Sequence, residues 1–238
     1  MNGTKKQQFK NGLIKGLPIG LGYLPVSFTF GFMAVSAGLP VWLAVLISMT
    51  NLTSSGQFAG TNLIISGGTY IEITLTTFVI NMRYMLMSLS LSQKMESGTP
   101  LFHRLLFSFG ITDETFAIAS TEPKNISGSY MYGLITLPYL GWSAGTFLGA
   151  CTSGILPETA KGAMGIALYA MFIAIIIPPA KKQTPVLYVI LISITITCLI
   201  RYIPVFEFIS DGFCTIIATV SASMAAAYFY PVNKKEDE

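Results

Sequence analysis

The sequence predicts an all-α protein that crosses a lipid bilayer several times, with interrupted helices and an internal repeat as further features of the architecture. Three observations carry this. Of 238 residues, 52% are hydrophobic and only 11% charged, less than half the usual charge of a soluble domain, and the mean hydropathy is +0.63. The charges leave long gaps: from Pro18 to Gln93 only Glu72 and Arg83, from Asn125 to Ala180 only Glu158 and Lys161, from Gln183 to Asn233 only Arg201, Glu207 and Asp211. Each gap exceeds the roughly 20 apolar residues that one spanning helix needs. Lys5, Lys6, Lys10 and Lys15 precede the first apolar run with no acid among them, the basic flank that marks a cytoplasmic side.

Taken in order, the apolar runs predict spans at 18–37, 40–65 and 69–91, with Pro40 suited to a first helical turn. Gly16, Pro18, Gly20, Gly22 and Pro25 in the first run, and the many runs after it, favour a retained helix over a cleaved signal peptide. Ser92 to Arg104 is a polar loop. The segment 105–120 holds Asp113 and Glu114 in its middle and is either a short broken span or a re-entrant hairpin. Further spans follow at 130–150, 163–178, 185–203 and 208–230, giving seven, or eight if the acidic segment crosses. The lysine balance favours both termini inside with eight crossings, against which Lys94, His103 and Arg104 would then lie outside. The resulting organisation is a basic lead over 1–17, one transmembrane transport domain over 18–230 and a charged tail over 231–238. Gly31, Pro40 and Arg83 recur as Gly149, Pro157 and Arg201 at offsets of 118, 117 and 118, which hints at a duplication of the kind found in secondary transporters.

The second span carries Thr50, Thr53, Ser54, Gln57 and Thr61, spaced to share one helical face, with Gly56 inside the run Ser54-Ser55-Gly56-Gln57-Phe58. Such a face lines a cavity, with the helix interrupted near Gly56, or packs against another helix through its hydroxyls. In the third span Thr74, Thr77, Asn81, Tyr84 and Ser88 form a second stripe, and Arg83 lies on another face with Thr76. A charge at mid-bilayer costs about 2.5–3.5 kcal/mol, so Arg83 faces a cavity or an acidic partner, or snorkels to the interface. Thr112 is placed to cap a half-helix starting at Asp113. The two acids there can hold an ammonium group or carry a proton, or simply cap a helix end. Arg201, with Ser193 and Thr197, reads as interfacial. Three dispersed cysteines imply neither a disulfide framework nor a metal quartet, and the single histidine, His103, argues against a metal centre or a catalytic triad. No nucleotide-binding loop is present, and neither a cofactor nor a nucleic-acid partner is expected.

The chain resembles the AzlC family of bacterial branched-chain amino acid exporters from about Gly16 to Ala180. The resemblance rests on Gly16-Leu17-Pro18, Leu24-Pro25, Phe30-Gly31, the Ser-Gly-Gln-Phe run ending at Phe58, Asn81-Met82-Arg83, Thr112-Asp113-Glu114, and Trp142 with Gly145-Thr146 and Gly149. It departs where the family commonly shows Phe-Ala-Gly and this chain reads Leu52-Thr53-Ser54. The resemblance implies a multi-pass plasma-membrane permease working with a small membrane partner of the AzlD type, with a passive channel or uniporter as the alternative. An intramembrane enzyme is not expected, since Asp113 and Glu114 are adjacent and point about 100° apart on a helix instead of forming a dyad across two helices. A leucine-like zwitterion then needs donors for its carboxylate, which unwound backbone at Ser54, Ser55, Gly56 and Gln57 supplies, with Asn81 nearby. Its ammonium needs Asp113 or Glu114, its side chain an apolar wall such as Phe58 or Phe116, and export against a gradient needs coupling through Asp113, Glu114 and Arg83.

Overall fold

The computed structural model describes residues 4–123, 125–154, 173, 176–178, 180, 181, 183–206 and 208–230. Among them the protein is helical, with one isolated bridge between Met95 and Ile126. The expected span at 163–178 lies almost wholly outside the described residues, as do Pro157 and the tail at 231–238. The chain divides into two compact units, one of residues 1–61 and 81–168, the other of 62–80 and 169–238.

The first unit is built on helices α1 (Lys5–Ser36) and α7 (Gly128–Thr152). At 32 residues α1 is about 48 Å long, well beyond the roughly 30 Å of a hydrocarbon core, so the lysine-bearing lead is the same helix as the first span. Small residues let the two backbones touch. Gly12 lies against Tyr130, Gly20 against Leu137 and Gly31 against Thr146, an ascending order that makes the pair parallel. Near the C-terminal ends the contact is reciprocal: a methyl on Gly31 would strike the Thr146 carbonyl, and one on Gly149 the Phe28 carbonyl. Both residues of the first contact map onto the second by the same 118-residue offset noted above.

The remaining elements of this unit are two helical hairpins and part of α4 (Tyr70–Gln93). The expected span 40–65 is broken into α2 (Val41–Thr50), which follows the extended Pro40, and α3 (Ser55–Ile65). The break spans residues 51–54, just ahead of Gly56: the Thr53 hydroxyl bonds the Asn51 side chain at 2.7 Å, and Ser54 sits at φ +47°. Short polar side chains that satisfy one another locally compete with the helical ladder, which is why the chain opens here. The five polar residues therefore do not share one continuous face. Gly56 meets a different demand, since a Cβ there would collide with the Asn81 side-chain oxygen and lie 2.8 Å from the Thr53 hydroxyl.

The acidic segment likewise forms two short helices, α5 (Leu101–Ser108) and α6 (Asp113–Ser120), so the expected loop ends before Leu101. Its contacts climb α7 and then return. His103 lies 2.8 Å from the Tyr132 hydroxyl, Gly110 packs on Ile135, and the Phe109 ring meets Tyr139. Beyond the tip, the Lys94 ammonium donates to the Ser120 carbonyl, and Glu122 is bonded to Lys15 and Tyr130. Both feet thus stand at the lysine-bearing end of α1, the re-entrant alternative. An apolar cluster of Ile19, Leu91, Met95, Phe107, Ile126 and Tyr130 anchors them there.

In the second unit α8 (Thr184–Tyr202) packs on α9 (Asp211–Phe229), and both are apolar and long enough to cross a membrane. Glu72 joins the start of α4 to that of α9, accepting from Thr69 N at 2.9 Å and from the Ser210 hydroxyl. Arg201, in the last turn of α8, pairs with Asp211 at 2.5 Å.

Candidate functional site

The hairpin tips of the first unit come together at one level of α7. Tyr139 touches both, its ring against Phe109 and its hydroxyl donating to the Met49 carbonyl at 3.3 Å. Between the tips stands Arg83 of α4. Its Nη2 lies 3.0 Å from Asp113 Oδ2 at the start of α6, 2.9 Å from the Tyr84 hydroxyl and 3.5 Å from the Ser55 hydroxyl at the start of α3. The Arg83 and Asp113 side chains are each 42% exposed, so the pair is reachable from outside. Tyr84 stacks under the guanidinium at 4.9 Å and donates its hydroxyl to the Thr53 carbonyl at 3.4 Å, fixing the cation beside the first tip.

The second tip is held by a capping box. Thr112 Oγ1 accepts from Thr115 N at 3.3 Å, and Thr112 N donates to Thr115 Oγ1 at 2.7 Å. That orients Asp113 towards Arg83 and Glu114 towards α1, where the Tyr23 hydroxyl donates to its carboxylate and lies 2.7 Å from Thr112 Oγ1. Two acids adjacent in sequence thus have different partners.

Gln57 anchors the first hairpin in the opposite sense. It is 1% exposed, donates to Ser48 Oγ at 2.5 Å and accepts from the Trp142 indole at 2.9 Å, while Ser48 meets Thr146 at 2.6 Å. The Trp142 ring packs edge-on against Tyr23 at 5.2 Å, so the partners of Gln57 and of Glu114 touch. Asn81 faces Gly56, and its buried Oδ1 is an acceptor with no partner among the described residues.

Of the residues singled out from the sequence, Ser55, Arg83 and Asp113 meet directly, and Ser54, Gly56, Asn81 and Glu114 lie in the same tips or beside them. Phe58 instead packs edge-on against Phe30, and Phe116 lies against the apolar cluster at the feet. Tyr84 belongs to the second polar stripe read from the sequence, whereas Tyr23 and Tyr139 were not foreseen. A hydroxyl close to a proline, as in Tyr23-Leu24-Pro25 and Pro138-Tyr139, is the only signal these two leave in the chain.

The family model for the AzlC protein matches residues 18–156, more than half of the chain and all of the residues just described. The chain belongs to the AzlC family. Among relatives of this AzlC protein, an uncharacterized membrane protein of Archaeoglobus fulgidus is 29% identical over 76% of this chain and 80% of its own length. The inner membrane protein YgaZ of Escherichia coli is 28% identical over 74% of each chain. The branched-chain amino acid transport protein AzlC of Bacillus subtilis is 25% identical over 74% of this chain and 69% of its own. No solved structure matches this AzlC protein.

Proposed function

We propose that this protein is the large subunit of a secondary exporter of branched-chain amino acids, leucine, isoleucine or valine, with methionine as a further candidate. It works in the plasma membrane with a small AzlD-like membrane subunit and draws on an ion gradient. The observation that carries the reading is the meeting of two helical-hairpin tips around Arg83, Asp113 and Glu114, where half-helix ends and charges gather in an otherwise apolar protein, as transporters arrange them around a substrate. The name of the Bacillus subtilis relative supplies the substrate class. The tip at residues 54–57 and the Asn81 side chain serve the polar end of the substrate, and the acids at 113 and 114 serve its ammonium and the coupling ion.

The test is flux of labelled leucine in liposomes containing the protein and its small partner, with and without an imposed pH or sodium gradient. Gradient-driven accumulation is expected. Flux that only equalises the two sides under every gradient would make the protein a passive uniporter, and no flux of any branched-chain amino acid would overturn the substrate reading.

A further inference from the structure

We infer that Arg83 and Asp113 stand in for the two ends of the substrate, so that an amino-acid zwitterion enters the site by replacing their ion pair. This rests on the transport reading above and sharpens it, adding Arg83 as the group that takes the carboxylate and choosing Asp113 over Glu114 for the ammonium. The geometry of the guanidinium carries it. All three of its contacts, to Asp113, Tyr84 and Ser55, run through Nη2, and among the described residues Nη1 and Nε have none. Both two-point faces that a guanidinium offers to a carboxylate include Nη2, so an incoming carboxylate that binds in this way competes with Asp113 for that nitrogen. Arg83 stays where it is when that happens, because the Tyr84 ring beneath it does not depend on Nη2. Asp113 also stays, since the capping box of Thr112 and Thr115 sets the start of α6 independently of Arg83. Its carboxylate, released from one cation, then faces the ammonium of the same ligand.

Charge decides what can make the exchange. The closed ion pair is neutral, and so is the pair with a zwitterion inserted, so the exchange leaves the net charge of the site unchanged. An amine without a carboxylate would leave Arg83 unpaired, and a carboxylate without an amine would leave Asp113 unpaired. Discrimination for α-amino acids over both follows from the same two residues. Glu114, bonded to Tyr23, takes no part in the exchange and remains available for coupling.

The experiment is equilibrium binding to the purified protein with its small partner, using leucine, leucinamide and 4-methyl-2-oxopentanoate, which lack respectively nothing, the carboxylate and the ammonium. The unaltered protein is expected to bind leucine at least a hundredfold more tightly than either analogue. Asp113→Asn is expected to weaken leucine at least tenfold while binding the oxo acid more tightly than the unaltered protein does. Arg83→Gln should do the reverse, weakening leucine and gaining leucinamide. The gain of a one-ended ligand is a result that a damaged fold does not produce. Arg83→Lys, which keeps the charge but not the fork, should weaken leucine at least tenfold with no gain of leucinamide. Leucine binding within twofold of normal in Asp113→Asn and Arg83→Gln, or losses with no gain of either analogue, would overturn the inference. Absence of leucine binding in the unaltered protein would instead defeat the substrate reading, and the gains in the two variants would still report on the ion pair.

Discussion

Glu122 stands where α6 returns towards α7, and its side chain is only 8% exposed. Burial works against its charge, but hydrogen bonds from Lys15 and from the Tyr130 hydroxyl, with the charges of Lys15 and Lys94, outweigh it and hold the carboxyl below the usual glutamate range. A lowered native pKa adds stability that is complete above the ordinary glutamate value of about 4.3 and is lost as pH falls through the lower native value. The protein should therefore keep its thermal stability from pH 7 to pH 5 and lose about 1 kcal/mol more than Glu122→Gln does on further acidification. Melting curves of both proteins in detergent across that range check it, and parallel curves would remove Glu122 from the account. Gln57 allows a second prediction of the same kind. Truncation to alanine leaves the Trp142 indole and the Ser48 hydroxyl without their partner in a sealed site, at a cost of about 2–4 kcal/mol. A melting temperature within a degree of normal for Gln57→Ala would contradict it. Arg83, Asp113, Glu114 and Gln57 were legible in the sequence because charge and amide groups in an apolar run demand partners. Tyr23 and Glu122 were not, because an aromatic in a span or an acid in a loop satisfies every compositional expectation without a special role, and Trp142 stood out only through the family resemblance.

At the scale of elements, the periodic stripe in the second expected span marks the right residues but not their geometry. Period counting assumes a continuous helix, and no proline or glycine occupies positions 51–54 to announce the break. The acidic segment was legible as broken, through its capping threonine and its two acids, yet its direction of travel depends on contacts with distant residues such as Tyr132, Tyr139 and Tyr130. That direction is testable. In a background without native cysteines, Ser97→Cys and Thr121→Cys, which flank α5 and α6, should both react with a membrane-impermeant maleimide from the side that labels Thr4→Cys. Labelling of the two from opposite sides would make the segment a true crossing and dissolve the hairpin.

Across the whole molecule, composition alone established the membrane class, since no arrangement of so few charges clothes a soluble surface. The positive-inside argument gains from the fold. The contacts of Lys94 and His103 put them, with Arg104, at the same end of α1 as Lys5, Lys6, Lys10 and Lys15, where three crossings ahead of Lys94 would not, and this removes the conflict that eight crossings created. The 118-residue offset was visible only as scattered matches, because glycine and proline coincide often by chance. Its physical content lies in backbone carbonyls, which no sequence displays.

The reciprocal seating of Gly31 on Thr146 and of Gly149 on Phe28 has the local form of a two-fold contact. An interface in which each side offers the other the same feature at the same position is isologous, the kind that two identical chains form about a two-fold axis.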